Sequence, residues 1–246
     1  MCSQPPVRRS GAIPRGSPYH GAFGGVRKAD RHSGAGSCGD RAGSLLQFCR
    51  QRIAVKKVRD HYFHRAKREG YAARSAYKLE EVDQKHRLLH KGMRVLDLGC
   101  YPGSWLQYVA KHIGSEGRAL GVDLQPVDIG FPKHIRTLQG DVFALTPEQL
   151  PPEPFDLILS DMAPRTSGIR SLDADRSYAL NQQVLVLSEQ HLQLEGNLLV
   201  KAFQGAPFEQ LRQDFRKVFK KVCICKPRSS RSESVEIFLL GQSKRR

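Results

Sequence analysis

Apolar residues recur along this chain at two alternating periods. Residues 71–85, YAARSAYKLEEVDQK, carry Ala72, Ala76, Leu79 and Val82 three or four positions apart, which predicts a helix. Val95 and Leu96 then form a short apolar run entering DLGCYPGSW, and Trp105, Val109 and Ile113 open a helix beyond it. Strands are predicted at 119–123 (ALGVD), about 135–138 and 155–161 (FDLILSD). A long helix over 175–194 follows, with Leu180, Val184, Leu187 and Leu194 at helical spacing. NLLVKAF at 197–203 reads as a strand, 207–219 as a helix, and 221–225 and 235–240 as strands. Such alternation predicts a mostly parallel sheet covered on both faces. The last two strands are joined by KPRSSRSES with no helix between them, which predicts an antiparallel hairpin at the end of the sheet. No internal repeat is visible.

The chain has 246 residues, 39% of them hydrophobic, enough for one α/β domain with a sizeable core. No run approaches the ~18–20 apolar residues of a membrane span, so a membrane protein is excluded. Six cysteines stand at positions 2, 38, 49, 100, 223 and 225 without a C-x-x-C pair, so neither a disulfide framework nor a zinc site is expected. The formal net charge of +16 is segregated. Residues 1–50 carry 8 basic and 2 acidic side chains, 51–94 carry 13 and 5, 95–215 carry 9 and 15, and 216–246 carry 10 and 2. Basic flanks around an acidic middle point to a polyanion, because each Lys or Arg placed on a phosphate releases counterions.

Residues 1–50 hold 9 of the 22 glycines and no sustained apolar period. Residues 1–55 are therefore expected to be a disordered basic tail, and 56–246 the folded domain. No charged-then-apolar signal peptide opens the chain, so a cytoplasmic protein is expected. The Arg-rich, acid-poor tail leaves two alternatives, a mitochondrial or plastid transit peptide and a translation start near Val55.

In an open α/β sheet, ligands bind outside the carboxyl ends of the strands. Five predicted strands end there on a charged residue: Asp97, Asp123, Asp141, Asp161 and Lys201. VLDLGCYPGSW reads as a strand, a turn and a helix start, in which Gly99 and Gly103 allow a backbone to approach a ligand closely. It is not the dinucleotide G-x-G-x-x-G, because position 101 is Tyr, and not a P-loop, because no Lys-Ser/Thr follows. Asp123 suits the two hydroxyls of a ribose, and Asp141 an adenine amino group. Each aspartate alone reads more readily as a cap or turn residue. At three successive strand ends, the nucleoside reading gains. With no phosphate-binding loop, a nucleoside cation such as S-adenosylmethionine fits best.

Strand 235–240 is apolar on both faces, so Glu236 faces burial and needs a partner. Lys201, beside Leu198, Leu199 and Val200, has the same need, and the economical solution is that the two meet. Lys78 reads more readily as part of a solvated helix face with Arg74 and Glu81.

With these residues in hand, the sequence resembles the FtsJ/RrmJ (RlmE) family of RNA ribose 2′-O-methyltransferases. The resemblance covers about residues 60–242, in DHYFHRAKREGYAARSAYKLEEVDQK, VLDLGCYPGSWLQYV, GVDLQPV, LQGDV, LILSDMAPRTSG, LLVKAFQG and KPRSSRSESVEIF. It implies a Rossmann-like methyltransferase of the S-adenosylmethionine-dependent class, with an antiparallel carboxyl-terminal strand. It implies a Lys-Asp-Lys-Glu tetrad, falling on Lys78, Asp161, Lys201 and Glu236. Cofactor contacts are implied at Gly103, Trp105, Asp123, Asp141 and Asp161, beside Asp97 and Gly99 of the same strand and turn. The chain departs from the family at Cys100-Tyr101-Pro102-Gly103-Ser104-Trp105, where Ala-Ala-Pro-Gly-Gly-Trp is usual, and at Arg165, where Asn is common.

The implied reaction is methyl transfer to a uridine ribose of large-subunit ribosomal RNA by a monomer. The alternatives are a tRNA 2′-O-methyltransferase and a non-catalytic ribosome assembly factor. A ribose 2′-hydroxyl must lose its proton as it attacks, so the site needs alignment and a base. Lys201 is assigned that role. No metal is needed, because a sulfonium leaves as a neutral thioether. Arg52, Lys56, Lys57, Arg59, Arg65, Lys67, Arg68, Lys226, Arg228 and Arg231 are expected to grip RNA, with Tyr62, Phe63 and Tyr71 either stacking on bases or packing on the sheet.

Overall fold

A computed structural model describes residues 61–230 and 234–246. The tail 1–55 and the cations Arg52, Lys56, Lys57, Arg59 and Arg231 lie outside the described residues. Helix α1 occupies residues 61–68. The order is then α2 (Ala76–His86), β1 (Arg94–Leu98), α3 (Ser104–Ile113), β2 (Arg118–Asp123), β3 (Ile135–Gln139) and β4 (Phe155–Ser160). It closes with α4 (Arg170–His191), β5 (Leu192–Phe203), α5 (Pro207–Val218), β6 (Phe219–Cys225) and β7 (Glu236–Lys244). The seven strands form one sheet in the order β3-β2-β1-β4-β5-β7-β6. The pairs from β3 through β5 are parallel, whereas β7 is antiparallel to both β5 and β6. The predicted mixed sheet is therefore present, and its final hairpin occupies one end.

Near-continuous apolar runs in β1, β4, β5 and β7 are what a sheet buried on both faces demands. Val95, Leu157, Leu159, Leu199, Phe238 and Leu240 fill one face together with Leu79 and Val82 of α2 and Leu106 and Val109 of α3. Leu96, Ile158, Leu198, Val200 and Leu239 fill the other with Val184 of α4 and Phe215 of α5. No helix among the described residues is long and apolar enough to cross a membrane.

Two helices differ from their predicted bounds. The helix predicted over 71–85 begins at Ala76, because Gly70 has a positive φ of 74° and Ser75 is held by its neighbours. The Ser75 hydroxyl meets Ser104 Oγ at 2.7 Å, and its carbonyl accepts from the Trp105 indole at 2.8 Å. The helix predicted over 175–194 runs from Arg170 to His191 instead. At its start the Asp173 carboxylate accepts from the amides of Ser167 and Gly168, fixing the first turn. At its end Lys244 Nζ donates to the carbonyls of Ser188, Glu189 and Leu192, so Leu194 passes into β5 and is exposed.

Asp83 fixes α2 onto the domain. Its buried carboxylate accepts from the amides of Leu88 and Leu89 at 2.8 and 2.9 Å and from the Tyr108 hydroxyl of α3 at 3.0 Å. Replacing Asp83 by Ala strands three donors, two of them buried, and is expected to cost about 3 kcal/mol, read as a lower urea midpoint at unchanged slope.

Candidate active site

Register places the predicted site residues on one face. Asp97 pairs with Leu159 and with Gly121, Leu159 pairs with Leu199, and Lys201 pairs with Phe238. Asp161, Asp123, Lys201 and Glu236 each lie two residues from one of these positions. Side chains repeat every second residue, so all five point to the sheet face that α2 and α3 cover. The strand ends differ slightly from expectation. Asp97 is the penultimate residue of β1, Asp161 follows β4, Lys201 lies two residues inside β5, and Asp141 lies two beyond β3.

The turn after β1 is tight, with Gly99 N–H donating to Val122 O at 2.8 Å and Gly103 N–H to Cys100 O at 2.6 Å. Gly99 and Gly103 both have positive φ, 80° and 104°. A Cβ on Gly99 would meet Met162 Cγ at 2.5 Å, and one on Gly103 would meet Ile129 Cδ1 at 2.6 Å. These glycines admit protein atoms: the loop after β4 and the segment after β2 pack onto the turn. The Trp105 ring is 2% exposed, packs against Phe238, and donates its indole N–H to the Ser75 carbonyl. Tyr101 departs from the family yet leaves the turn intact, because its side chain is exposed while its amide donates to Asp123 Oδ2 at 2.9 Å.

The floor of the site is acidic. Asp97 is fully buried, and neither carboxylate oxygen has a hydrogen-bond partner among the described residues. Burial pushes its pKa well above the ordinary range, and the nearby Asp161 and Asp123 push it further. Asp123 accepts Tyr101 N–H on one oxygen and Gln125 N–H, at 2.9 Å, on the other, which still leaves lone pairs on each for hydroxyl donors. Asp141 is exposed and accepts from its own turn at Phe143 N–H. An orphaned buried carboxylate beside two others fits a cationic ligand, and Asp123 fits a diol. The residues present therefore suit a nucleoside that carries positive charge.

The four tetrad positions come together as two ion pairs. Lys78 Nζ donates to Glu236 Oε2 at 3.0 Å. Lys201 Nζ donates to the main-chain oxygen of Asp161 at 2.5 Å and stands 2.9 Å from Asp161 Oδ1, close enough for an ion pair but without hydrogen-bond alignment. The predicted direct contact between Lys201 and Glu236 is thus corrected. Lys201 lies opposite Phe238, and Glu236 lies opposite Phe203, so the two are diagonal neighbours across the strands, about 7–8 Å apart. They still interact through space. Burial would raise the Glu236 pKa, but Lys78, Lys201 and the Ser234 hydroxyl outweigh it and hold the carboxyl below its usual range.

Sequence reasoning missed the residues that hold the loops around this cluster. Asp173 grips Ser167 and Gly168 of the loop that follows Asp161, and Arg176 donates to the Arg165 carbonyl at 3.2 Å. Glu81, read as solvated, accepts from the amides of Arg228 and Ser229. A carboxylate three residues after Lys78 was the only signal, and helix periodicity gave it no partner. Of the expected RNA contacts, Arg65 is bound to Glu69 and Glu80 and lies over the Tyr77 ring, and Tyr71 packs beneath Lys111. Lys67, Arg68, Lys226 and Arg228 are exposed, as is Phe63.

A family model described as FtsJ-like methyltransferase matches residues 71–244. A protein named ribosomal RNA large subunit methyltransferase E from Syntrophobacter fumaroxidans is 44% identical over 194 residues, covering 77% of this chain and 98% of that protein. A protein of the same name from Bdellovibrio bacteriovorus is 46% identical over 192 residues, covering 76% and 97%. Among solved structures, a chain described as a ribosomal RNA methyltransferase from Plasmodium falciparum is similar with a TM-score of 0.62 at 28% identity, covering 71% of this chain and 98% of that one. With its sheet order, its turn after β1 and its two ion pairs in place, this chain belongs to the FtsJ-like methyltransferase family.

Proposed function

We propose that the chain transfers the methyl group of S-adenosylmethionine to the ribose 2′-hydroxyl of a uridine in large-subunit ribosomal RNA. The observation that carries this reading is the gathering of Lys78–Glu236 and Lys201–Asp161 from four separate elements beside the unpartnered Asp97. The names of the relatives point to the RNA.

When bound, S-adenosylmethionine supplies an electrophilic methyl on a sulfonium that departs as a neutral thioether. Asp123 holds the ribose hydroxyls, and Asp97 with Asp161 offsets the positive charge. Lys201, held by Asp161 and lying 7% exposed, is the base: its ammonium first releases a proton to solvent, and the amine so formed takes the proton of the incoming 2′-hydroxyl. Glu236 holds Lys78, so the ammonium of Lys78 stands beside the oxygen on which negative charge develops. Lys67, Arg68, Lys226 and Arg228 engage phosphates around the site, and Phe63 offers an exposed ring to a base.

Lys201→Ala is expected to lower single-turnover methyl transfer by about 10²–10⁴-fold while S-adenosylmethionine and RNA affinities hold within a few-fold. Labelled-methyl transfer followed by sugar mapping measures it, with transfer RNA and large subunits as competing substrates. Turnover retained by the variant removes Lys201 from the base role, and methylation of transfer RNA alone overturns the ribosomal substrate.

The raised Asp97 pKa gives a pH dependence of definite sign. The empty folded chain keeps a proton that the unfolded chain releases, so empty-state stability falls as pH rises above the ordinary carboxylate range. Binding a cation favours the ionised form and expels that proton. Donor affinity is therefore expected to strengthen with rising pH, by at most about tenfold per unit, until Asp97 is ionised without ligand. Calorimetry in buffers of different ionisation enthalpy detects the released proton, and Asp97→Asn should bind weakly with a flat profile.

A further inference from the structure

Helix α2 carries Lys78, while the connection between β6 and β7 delivers Glu236. The two elements are joined by polar side chains. Glu81, one turn after Lys78, accepts from Arg228 N–H at 2.6 Å and from Ser229 N–H at 2.9 Å, one oxygen to each. Arg74 Nη2 donates to the Ser229 carbonyl at 3.4 Å, and His86 Nε2 meets Cys225 Sγ at 3.3 Å. Pro227 and Ser229 are buried, so this part of the connection lies against the domain, whereas the Lys226 and Arg228 side chains on either side face solvent.

Two consecutive amides facing a single carboxylate form a charge-assisted bidentate contact, the strongest class of hydrogen bond available to a loop. We propose that Glu81 is a positioning residue for methyl transfer. It clamps the 226–230 segment to α2, which keeps Glu236 in register with Lys78. This inference rests on the RNA methyltransferase reading. Glu81 touches no reacting atom; it acts through the backbone that leads into β7.

Glu81→Gln tests the clamp, because Gln matches Glu in volume and helix propensity but offers one acceptor oxygen and turns an N–H₂ toward the other amide. Trypsin cleavage at Arg228–Ser229 reports release of the segment, since a buried, hydrogen-bonded bond must open before it is cut. We expect cleavage to quicken at least tenfold. Turnover at saturating RNA and S-adenosylmethionine should fall about tenfold, with the RNA KM changed less than threefold. An S-adenosylmethionine Kd within twofold of the unaltered chain shows that the variant is folded and its cofactor site intact. Cleavage and turnover both unchanged overturn the clamp, as does faster cleavage with full turnover. If the unaltered chain itself methylates no RNA, the reading beneath the inference fails, whatever the variant does.

Discussion

Carboxyl groups outnumber ammonium groups at one end of the sheet, and one of the acids lies where water does not reach. Asp97, Asp123, Asp161 and Glu236 converge on one face at one end of the sheet, against the two ammonium groups of Lys78 and Lys201. The lysines form ion pairs with Glu236 and Asp161. Asp97, at the bottom, has no donor to accept from among the described residues. A site built this way favours the protonated form of Asp97 when empty, and a ligand that brings positive charge favours its ionised form. Burial first, and then the neighbouring carboxylates, raise the Asp97 pKa; the same acidity suits the sulfonium nucleoside proposed above and would repel the anionic ligand of a phosphate-binding loop.

The sheet topology makes the cluster inexpensive in backbone terms. Parallel strands deliver their carboxyl ends to one edge, which is where Asp97, Asp123 and Asp161 sit. A seventh parallel strand would bring its last residue there. An antiparallel strand brings its first, so Glu236 at the head of β7 arrives opposite Phe203 near the end of β5. The reversed strand thus places an acid beside a lysine of its neighbour without lengthening either. It also fixes the diagonal offset by which Glu236 meets Lys78 rather than Lys201.

Much of this was legible in the sequence because it follows from period and position. Apolar runs marked the strands, and polar residues at their ends marked the site. Misreadings arose where tertiary contacts set the outcome. Leu194 matched a helical repeat by coincidence, since Lys244, fifty residues later in the chain, closes the helix before it. Gly99 and Gly103 were legible as turn glycines, and both have positive φ; that Met162 and Ile129 pack beside them depends on loops with no periodic signature. Trp105 carried a motif position, yet its ring serves the attachment of α2. The pairing of two lysines with two acids was evident as a need; which lysine takes which acid depends on strand register, which single-sequence patterns do not encode.

Lys78 differs from the other members in how it is supported. Asp97, Asp161, Lys201 and Glu236 belong to strands, or directly follow them, and a strand's position is fixed by its ladder. Lys78 stands on a helix whose apolar side contributes Leu79 and Val82 to the core, while Asp83, Ser75 and Glu81 fix its orientation through hydrogen bonds. Apolar packing tolerates small rotations, because its energy varies gently with angle, whereas hydrogen bonds weaken steeply once misaligned. A lysine that must meet a carboxylate at 3.0 Å requires the sharper constraint. Among the described residues, α2 is accordingly held by two of its own carboxylates, Asp83 toward the buried side and Glu81 toward the connection after β6.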